Sequence, residues 1–291
     1  MTDDSRPAVS RPATARPRGS SATVGGEAAA PSDEELAAIE RSLAELPRFS
    51  GAVVEDEPEI GAVAVRLPGR GAGYNFYACP RWSSAEVPVF LGEVAARMRR
   101  AGEWPALVVA NGVSQPLSLG DEVATAGWFR LEHERVLWTR QPPSVPHLDP
   151  SLRVEAVTAR SAAEYEQLER EAFGLPAEFA AQRTAHLADA LAGGELRAYL
   201  IRLHREAVAT ARLVTGIGLG GIFGVGVAAM HRRHGLGTLV TAIATRAALA
   251  SGARLVWLSV DERNEPALGV YRRLGFQPAF AWSRWVGPEQ Q

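Results

Sequence analysis

Between Val225 and Thr238 the chain reads Val-Gly-Val-Ala-Ala-Met-His-Arg-Arg-His-Gly-Leu-Gly-Thr, and these residue types suit the holding of a phosphate. The apolar, strand-like run from Ile222 to Val227 breaks into a short basic turn punctuated by glycine. A helical pattern comes directly after, with Leu239, Ile243, Ala247 and Ala250 on one side. A strand that enters a helix in this way leaves the first helical amides without intrahelical acceptors, and the helix dipole favours an anion there. Gly235 and Gly237 let an anion approach the backbone because no Cβ intervenes, while Arg232 and Arg233 bring positive charge. The local reading is a pyrophosphate cradle spanning Arg232, Arg233, His234, Gly235, Leu236, Gly237 and Thr238.

Two other phosphate-binding designs do not fit. A P-loop ends in Gly-Lys-Ser/Thr, and this sequence has none. Gly216-Ile217-Gly218-Leu219-Gly220-Gly221 fits G-x-G-x-x-G, but it runs into Ile222-Phe223-Gly224-Val225, which does not start a helix. Without a helix terminus that loop lacks the dipole a dinucleotide site uses, so it reads as a glycine-rich hairpin turn.

A second group of chemistry-bearing residues lies downstream. A strand-like run, Leu255 to Val260, leads to Asn264-Glu265-Pro266-Ala267-Leu268-Gly269-Val270-Tyr271 and then to Leu274-Gly275-Phe276. Asn264 suits a helix N-cap with Pro266 in the first turn. Tyr271, seven residues on, falls on nearly the same helix face, where it would serve as an ordinary core residue between Ala267 and Leu274.

The pattern Arg232-x-x-Gly235-x-Gly237, then the strand, Asn264, the Tyr271 helix and Gly275-Phe276, resembles the GNAT superfamily of N-acyltransferases over about residues 152 to 287. That resemblance implies acetyl-CoA as acyl donor. It implies that Val225, Gly226 and Val227 form the strand beside the pantetheine arm, that Asn264 contacts the arm, and that Tyr271 protonates the departing thiolate. The reaction implied is N-acyl transfer to an amine by direct attack in a ternary complex. The acceptor is expected near Phe173 to Phe179 and to be a small molecule. A protein of the same fold that binds acyl-CoA as a regulator or sensor, without turnover, is the alternative. No base is assigned: Glu171, Asp261 and His231 are candidates, and the central strand, Ile222 to Val227, offers no acid.

The elements that must position these residues can be traced from the N-terminus. Residues 1 to 31 are rich in Ala, Pro, Ser, Gly and Arg and read as a disordered tail. Ser32 and Glu35 form a capping box for a helix that Pro47 ends. Strands are expected at Gly61–Arg66, Tyr74–Ala78, Leu107–Ala110 and Arg135–Thr139, with helices over 84–100 and 117–126. Residues 141 to 151 hold four prolines and read as a stiff linker. Beyond it come a strand at 153–157, a helix capped by Ser161, a second helix over 177–191, and a hairpin around Arg205-Glu206-Ala207.

The two halves repeat. Leu107-Val108-Val109 and Gly127-Trp128 align, at one constant offset, with Leu255-Val256-Trp257 and Gly275-Phe276. The same offset sets Val87 and Val89 against Gly235 and Gly237, so the first half is expected to hold no cofactor. The fold expected is α/β: tandem GNAT-like lobes, 32–140 degenerate and 152–291 catalytic, each a mixed, mostly antiparallel sheet with helices on both faces.

Composition narrows the function classes. Net charge of −2 and pI near 6.3 give no general pull toward nucleic acid, and the seven tryptophans lack basic interleaving. No apolar run approaches the ~20 residues of a membrane span. The single cysteine, Cys79, reads as a small buried hydrophobe and fits a reducing, cytoplasmic setting. His231 and His234 lack a second ligand cluster, so no metal is expected.

Overall fold

The structure, a computed structural model, describes residues 29–147 and 149–288; the expected tail lies almost wholly outside the described residues. The chain order is α1 (Asp33–Glu45), β1 (Val53–Glu57), β2 (Ala62–Arg66), β3 (Phe76–Ala78), α2 (Val87–Arg100), β4 (Ala106–Ala110), α3 (Leu119–Thr125) and β5 (Phe129–Thr139). The second half continues with β6 (Leu152–Ala156), α4 (Ala162–Phe173), α5 (Ala180–Ala192), β7 (Leu196–Leu203), β8 (Glu206–Gly216), β9 (Leu219–Val227), α6 (Leu236–Ala250), β10 (Leu255–Asp261), α7 (Glu265–Arg273) and β11 (Gln277–Val286).

Local chemistry explains where elements start. The Ser32 hydroxyl accepts from the Glu35 amide and the Glu35 carboxylate accepts from the Ser32 amide, so the expected capping box opens α1. The same Glu35 receives both ends of the Arg140 guanidinium, at 2.9 and 2.6 Å, and Arg140 holds its carboxyl down at about 2. Ser161 differs from expectation. Its hydroxyl accepts from the preceding Thr158 amide, and Glu164 pairs with Arg202 at 2.6 Å instead of closing a box. β1 was not anticipated: its Glu55, Asp56 and Glu57 hide the strand signal, and these acids suit a sheet edge.

All eleven strands form one sheet in the order β1-β2-β3-β4-β11-β5-β10-β9-β8-β7-β6. Pairing is antiparallel except for β3–β4 and β9–β10, each pair joined through a crossover helix, α2 or α6. The repeat is therefore structural, with β3-α2-β4-α3-β5 matching β9-α6-β10-α7-β11. The closing strands are exchanged. β11, from the second half, lies between β4 and β5, while β5, from the first, lies between β11 and β10. Neither half completes its sheet alone.

Alternation along β7 sorts the faces around the second half. Leu196, Ala198 and Leu200 pack with α4 and α5; Tyr199 and Ile201 pack on the opposite face with α6 and α7. A third core gathers α1, α2, α3 and β2 to β4, and it takes Trp257 and Trp282 from the second half. Cys79 is buried there, and burial pushes its thiol well above the usual range.

Because the closing strands are exchanged, unfolding is expected to be a single transition. Far-UV circular dichroism and tryptophan fluorescence should report coincident urea curves for the whole chain. Pieces ending at 147 or starting at 149 should show no cooperative transition; a native-like transition from either would contradict this coupling.

Candidate functional site

The site begins with the β8–β9 hairpin. Ile217 and Gly218 form its two-residue turn with φ of 51° and 73°, the pair of positive values a type I′ turn requires. The G-x-G-x-x-G run is thus a hairpin, and its last two glycines serve packing. A Cβ on Gly220 would meet the Ala248 methyl at 2.7 Å, and one on Gly221 would meet the Trp257 ring at 2.8 Å.

Further along, β9 bulges. Thr210 pairs with Gly226 and Arg212 with Phe223, so Ala211 faces two residues, Gly224 and Val225. Gly224 has φ of +62°, and a Cβ there would lie 2.5 Å from the Glu169 carboxylate. The buried Thr210 hydroxyl repairs the ladder, donating to the Gly224 carbonyl at 2.9 Å and accepting from the Gly226 amide at 3.2 Å. The parallel ladder to β10 runs only from Leu219–Leu255 to Ile222–Leu258. Past the bulge the two strands part. The Gly226 and Ala228 amides turn toward β8, so alternation directs those of Val225 and Val227 into the gap.

The gap is an open cleft of about 1030 Å³. It gathers Val225, Gly226, Val227, Arg232, Arg233, Gly235, Leu236, Gly237, Thr238, Asn264 and Tyr271. Of the expected cofactor-holding residues and Tyr271, His234 alone lies off its wall; its Nδ1 contacts the Arg232 carbonyl at 2.9 Å and braces the turn. Ala172, Phe173, Glu265, Ala267, Gly269, Val270 and Arg273 also line the cleft. The first intrahelical bond of α6 runs from the Leu239 amide to Gly235, and none of the amides from Arg233 to Thr238 has an acceptor among the described residues. Gly235 is the N-cap, with φ of +79°, and a Cβ on it would meet nothing within 4 Å. A Cβ on Gly237 would make only an ordinary 3.7 Å contact with Val227. Protein packing leaves this cradle open. Arg233 and Arg273 have no acidic partner among the described residues; Arg232 instead reaches the Val227 and Ala172 carbonyls, each at 3.3 Å, and ties the turn to α4.

Opposite the cradle, the Asn264 side chain accepts from the Ala267 amide at 3.2 Å and caps α7, with Pro266 in its first turn. Tyr271 is buried against Phe276, ring centroids 6.0 Å apart, and its hydroxyl has no partner among the described residues. Burial, then the charge of Glu134, pushes its phenol up to about 12.

None of the three candidate bases lines the cleft. Glu171 is exposed beside Gln167, and His231 lies 3.6 Å from Glu206. Arg263 binds Asp261 and holds it down at about 2. Sequence reasoning also missed a buried ionic group under the bulge, in which Arg183 bonds Glu166 at 2.5 Å and Arg212 bonds Glu169. Arg212 in the apolar run Val208–Val214 was its one visible signal. This group borders a smaller pocket of about 340 Å³, walled by Phe173, Leu175 and Phe223 and, from the first half, by Leu46, Phe49 and Tyr74. Phe173 lines both cavities.

The equivalent turn of the first half has no cradle, though not for the expected reason. Val87 is a core residue, 2% exposed, and does not project into a phosphate position. α2 starts at Val87 and α6 at Leu236, so Glu86, not Val87, stands where Gly235 does. The Glu86 carboxylate bonds the Ser83 amide at 2.8 Å beside the helix terminus, and Pro88 removes one of its amides.

Residues 162–276 match the model of the Acetyltransferase (GNAT) family. The match falls within the second lobe. Solved structures extend the likeness of fold to most of the chain. A GCN5-related N-acetyltransferase from Kribbella flavida is 23% identical, with TM-score 0.67, covering 87% of this chain and 96% of that one. A tandem GNAT protein from the clavulanic acid biosynthesis pathway is 19% identical with TM-score 0.59, covering 79% of each. A GCN5-related N-acetyltransferase from Sphaerobacter thermophilus is 20% identical with TM-score 0.56, covering 89% and 94%. The chain thus shares the fold of these structures over most of its length, and the family match falls within its second lobe.

The raised Tyr271 phenol fixes a pH dependence. An acid whose folded pKa exceeds its unfolded value of ~10 lends stability that is full below pH ~10 and is lost as pH rises through about 12. The melting temperature of the wild-type chain should therefore fall more steeply between pH 10 and 12 than that of Tyr271→Phe. Equal slopes would place the hydroxyl in water.

Proposed function

We propose that the chain transfers an acetyl group from acetyl-CoA to the amine of a small molecule. The observation that carries this reading is the run of unaccepted amides from Arg233 to Thr238 beside a cleft whose lining includes Tyr271. Acetyl-CoA fits the residues present: a pyrophosphate needs donors and close approach, and Gly235 and Gly237 leave that space free. The Val225 and Val227 amides suit the amides of a pantetheine arm as a neighbouring strand would, and Asn264 adds a polar group on the α7 side. Bound acetyl-CoA supplies a thioester carbonyl open to attack.

The residues then have separate tasks. The cradle and β9 orient the donor, which converts the encounter of two substrates into a local event. Tyr271, protonated well past neutral pH, gives its proton to the departing thiolate. The pocket under the bulge has the volume of a small-molecule site and meets the cleft at Phe173. Its wall of first-lobe residues favours a small amine over a protein terminus, which needs an open groove.

Calorimetry should find one acetyl-CoA per chain. Gly237→Val puts a branched side chain into the cradle at a helical position, without the strain a left-handed Gly235→Val would carry. It should weaken binding at least about tenfold and leave the melting temperature nearly unchanged. Tyr271→Phe should keep the affinity and lose about 100-fold in release of free CoA thiol. A panel of metabolite amines and peptides tests the acceptor. No acetyl-CoA binding at millimolar concentration would sink the reading; binding without thiol release would leave a sensor, and turnover of peptides alone would refute the small-molecule acceptor.

A further inference from the structure

We propose that Glu134, on the closing strand of the first lobe, takes the proton from the acceptor amine in the second; this rests on the transferase reading above. Strand exchange brings β5 against β10, where Glu134 pairs with Asp261 and Val136 with Ser259. The Glu134 carboxylate accepts a hydrogen bond from the Ser259 hydroxyl. Ser259 is one residue past Leu258, the last residue of β10 that is paired to β9. The carboxylate therefore lies where the two strands part. Leu258 and Val260 pack with α6 and α7, so by alternation Ser259 and Glu134 belong to the opposite face of the sheet, the face of α4 and the 340 Å³ pocket. The two proton-handling groups lie on opposite faces of the parting strands, Tyr271 lining the cleft from α7 and Glu134 behind Ser259 on the pocket face, outside the lining of either cavity.

The surroundings suit a base. The groups around Glu134 are Glu132 on its own strand, Ser259 and Asp261 on β10, Trp282 and Arg284 on β11, and Tyr271 on α7. Arg284 is engaged by Glu132 at 2.8 Å, and no basic side chain lies within 4 Å of Glu134 among the described residues. Burial, with the Glu132 and Asp261 charges, raises its carboxyl against the opposing pull of Ser259 and Arg284. Its charge also raises the Tyr271 phenol, after burial. Other acids near the site are paired: Glu169 with Arg212, Asp261 with Arg263 and Glu265 with Arg272 at 3.1 Å.

The step balances. The acceptor arrives as R–NH3⁺ and gives one proton to the Glu134 carboxylate, directly or through one water. The freed lone pair forms the C–N bond at the thioester carbonyl carbon, whose π electrons move to oxygen. As the carbonyl re-forms, the C–S bond breaks, Tyr271 protonates the thiolate, and the second nitrogen proton restores the phenol through water. Glu134 releases its proton to solvent, leaving amide, free thiol and one proton. Nothing is oxidised or reduced.

The test uses the full chain, with acetyl-CoA and the amines tyramine, putrescine and lysine as probes. The wild type should release CoA thiol with at least one of them, and kcat/KM should fall on the acid side with a single group. Glu134→Gln should lose at least about 100-fold in kcat/KM and lose that acid limb, while its acetyl-CoA dissociation constant stays within about twofold. Glu134→Asp, which keeps the charge, should recover part of the rate and restore the limb. Carboxyl ¹³C titration, with Glu134→Gln identifying the resonance, should give Glu134 a midpoint above the ordinary ~4.3. An unchanged rate or pH profile in Glu134→Gln, an ordinary midpoint, or a rate loss that Glu134→Asp does not relieve would overturn the assignment and leave the transferase reading standing. No turnover by the wild type on any probe would sink both.

Discussion

Two neighbouring strands of a sheet share a ladder of backbone hydrogen bonds, and wherever that ladder stops, donors and acceptors are left to be satisfied in some other way. Here the β9–β10 ladder stops at Ile222–Leu258. The bulge at Gly224–Val225 turns β9 away, and the Thr210 hydroxyl stands in for the backbone partner that the bulge displaces. The Val225 and Val227 amides are thereby released into a cleft instead of into a strand. The bulge is held by α4. Glu169 sits over Gly224, and Ala172 and Phe173 sit over Gly226, so closely that a Cβ on either glycine would collide. The Glu169–Arg212 pair is buried, and such a pair adds little net stability against apolar residues of the same volume. Its use here is geometric, since it ties α4 to β8 across the distorted stretch.

The exchange of closing strands answers the second half of the same problem. Once β9 has left, Ser259, Val260 and Asp261 would be an unpaired extension of β10. β5 supplies their ladder, Ser259 against Val136, Val260 against Arg135 and Asp261 against Glu134. The first lobe thus braces the far bank of the cleft, and β11 returns the connection by pairing with β4. A lobe without a cradle of its own therefore still determines the shape of its neighbour's site.

The cradle was legible in the sequence because glycine and arginine report on backbone and charge at one place. Gly235, with its positive φ, and the helix immediately after it are local events. The hairpin reading of Gly216–Gly221 succeeded for the same reason, since the chain leaves that loop as a strand and not as a helix. Misreadings came where geometry is not local. The ungapped offset that set Val87 against Gly235 was out by one residue, because the stretch from crossover helix to closing strand, on whose Gly-aromatic start the offset was fixed, is one residue longer in the first half (Val87 to Phe129) than in the second (Leu236 to Gln277). Strand exchange leaves no trace in periodicity, since β5 and β11 alternate as any strands do and only the register with distant partners makes them cross. Glu134 was invisible for that reason. In the sequence it is one of several acids on a polar strand; only the pairing with β10 brings it to Ser259.

The asymmetry of the two lobes arises from their helix starts. At Gly235 a left-handed glycine starts the helix, and the six amides from Arg233 to Thr238 have no acceptor among the described residues. At Glu86 the corresponding residue is right-handed and its carboxylate occupies the Ser83 turn, next to a proline that cannot donate. An anion near that terminus would meet a fixed negative charge and one donor fewer. Substituting Glu86 alone would leave Pro88 in place and supply no left-handed turn, so the amides would still not converge. A cradle needs charge, donors and backbone handedness together, and the first lobe has a carboxylate for the charge, one donor fewer and no left-handed turn, whereas its closing strand, which needs only register, has kept its place in the sheet.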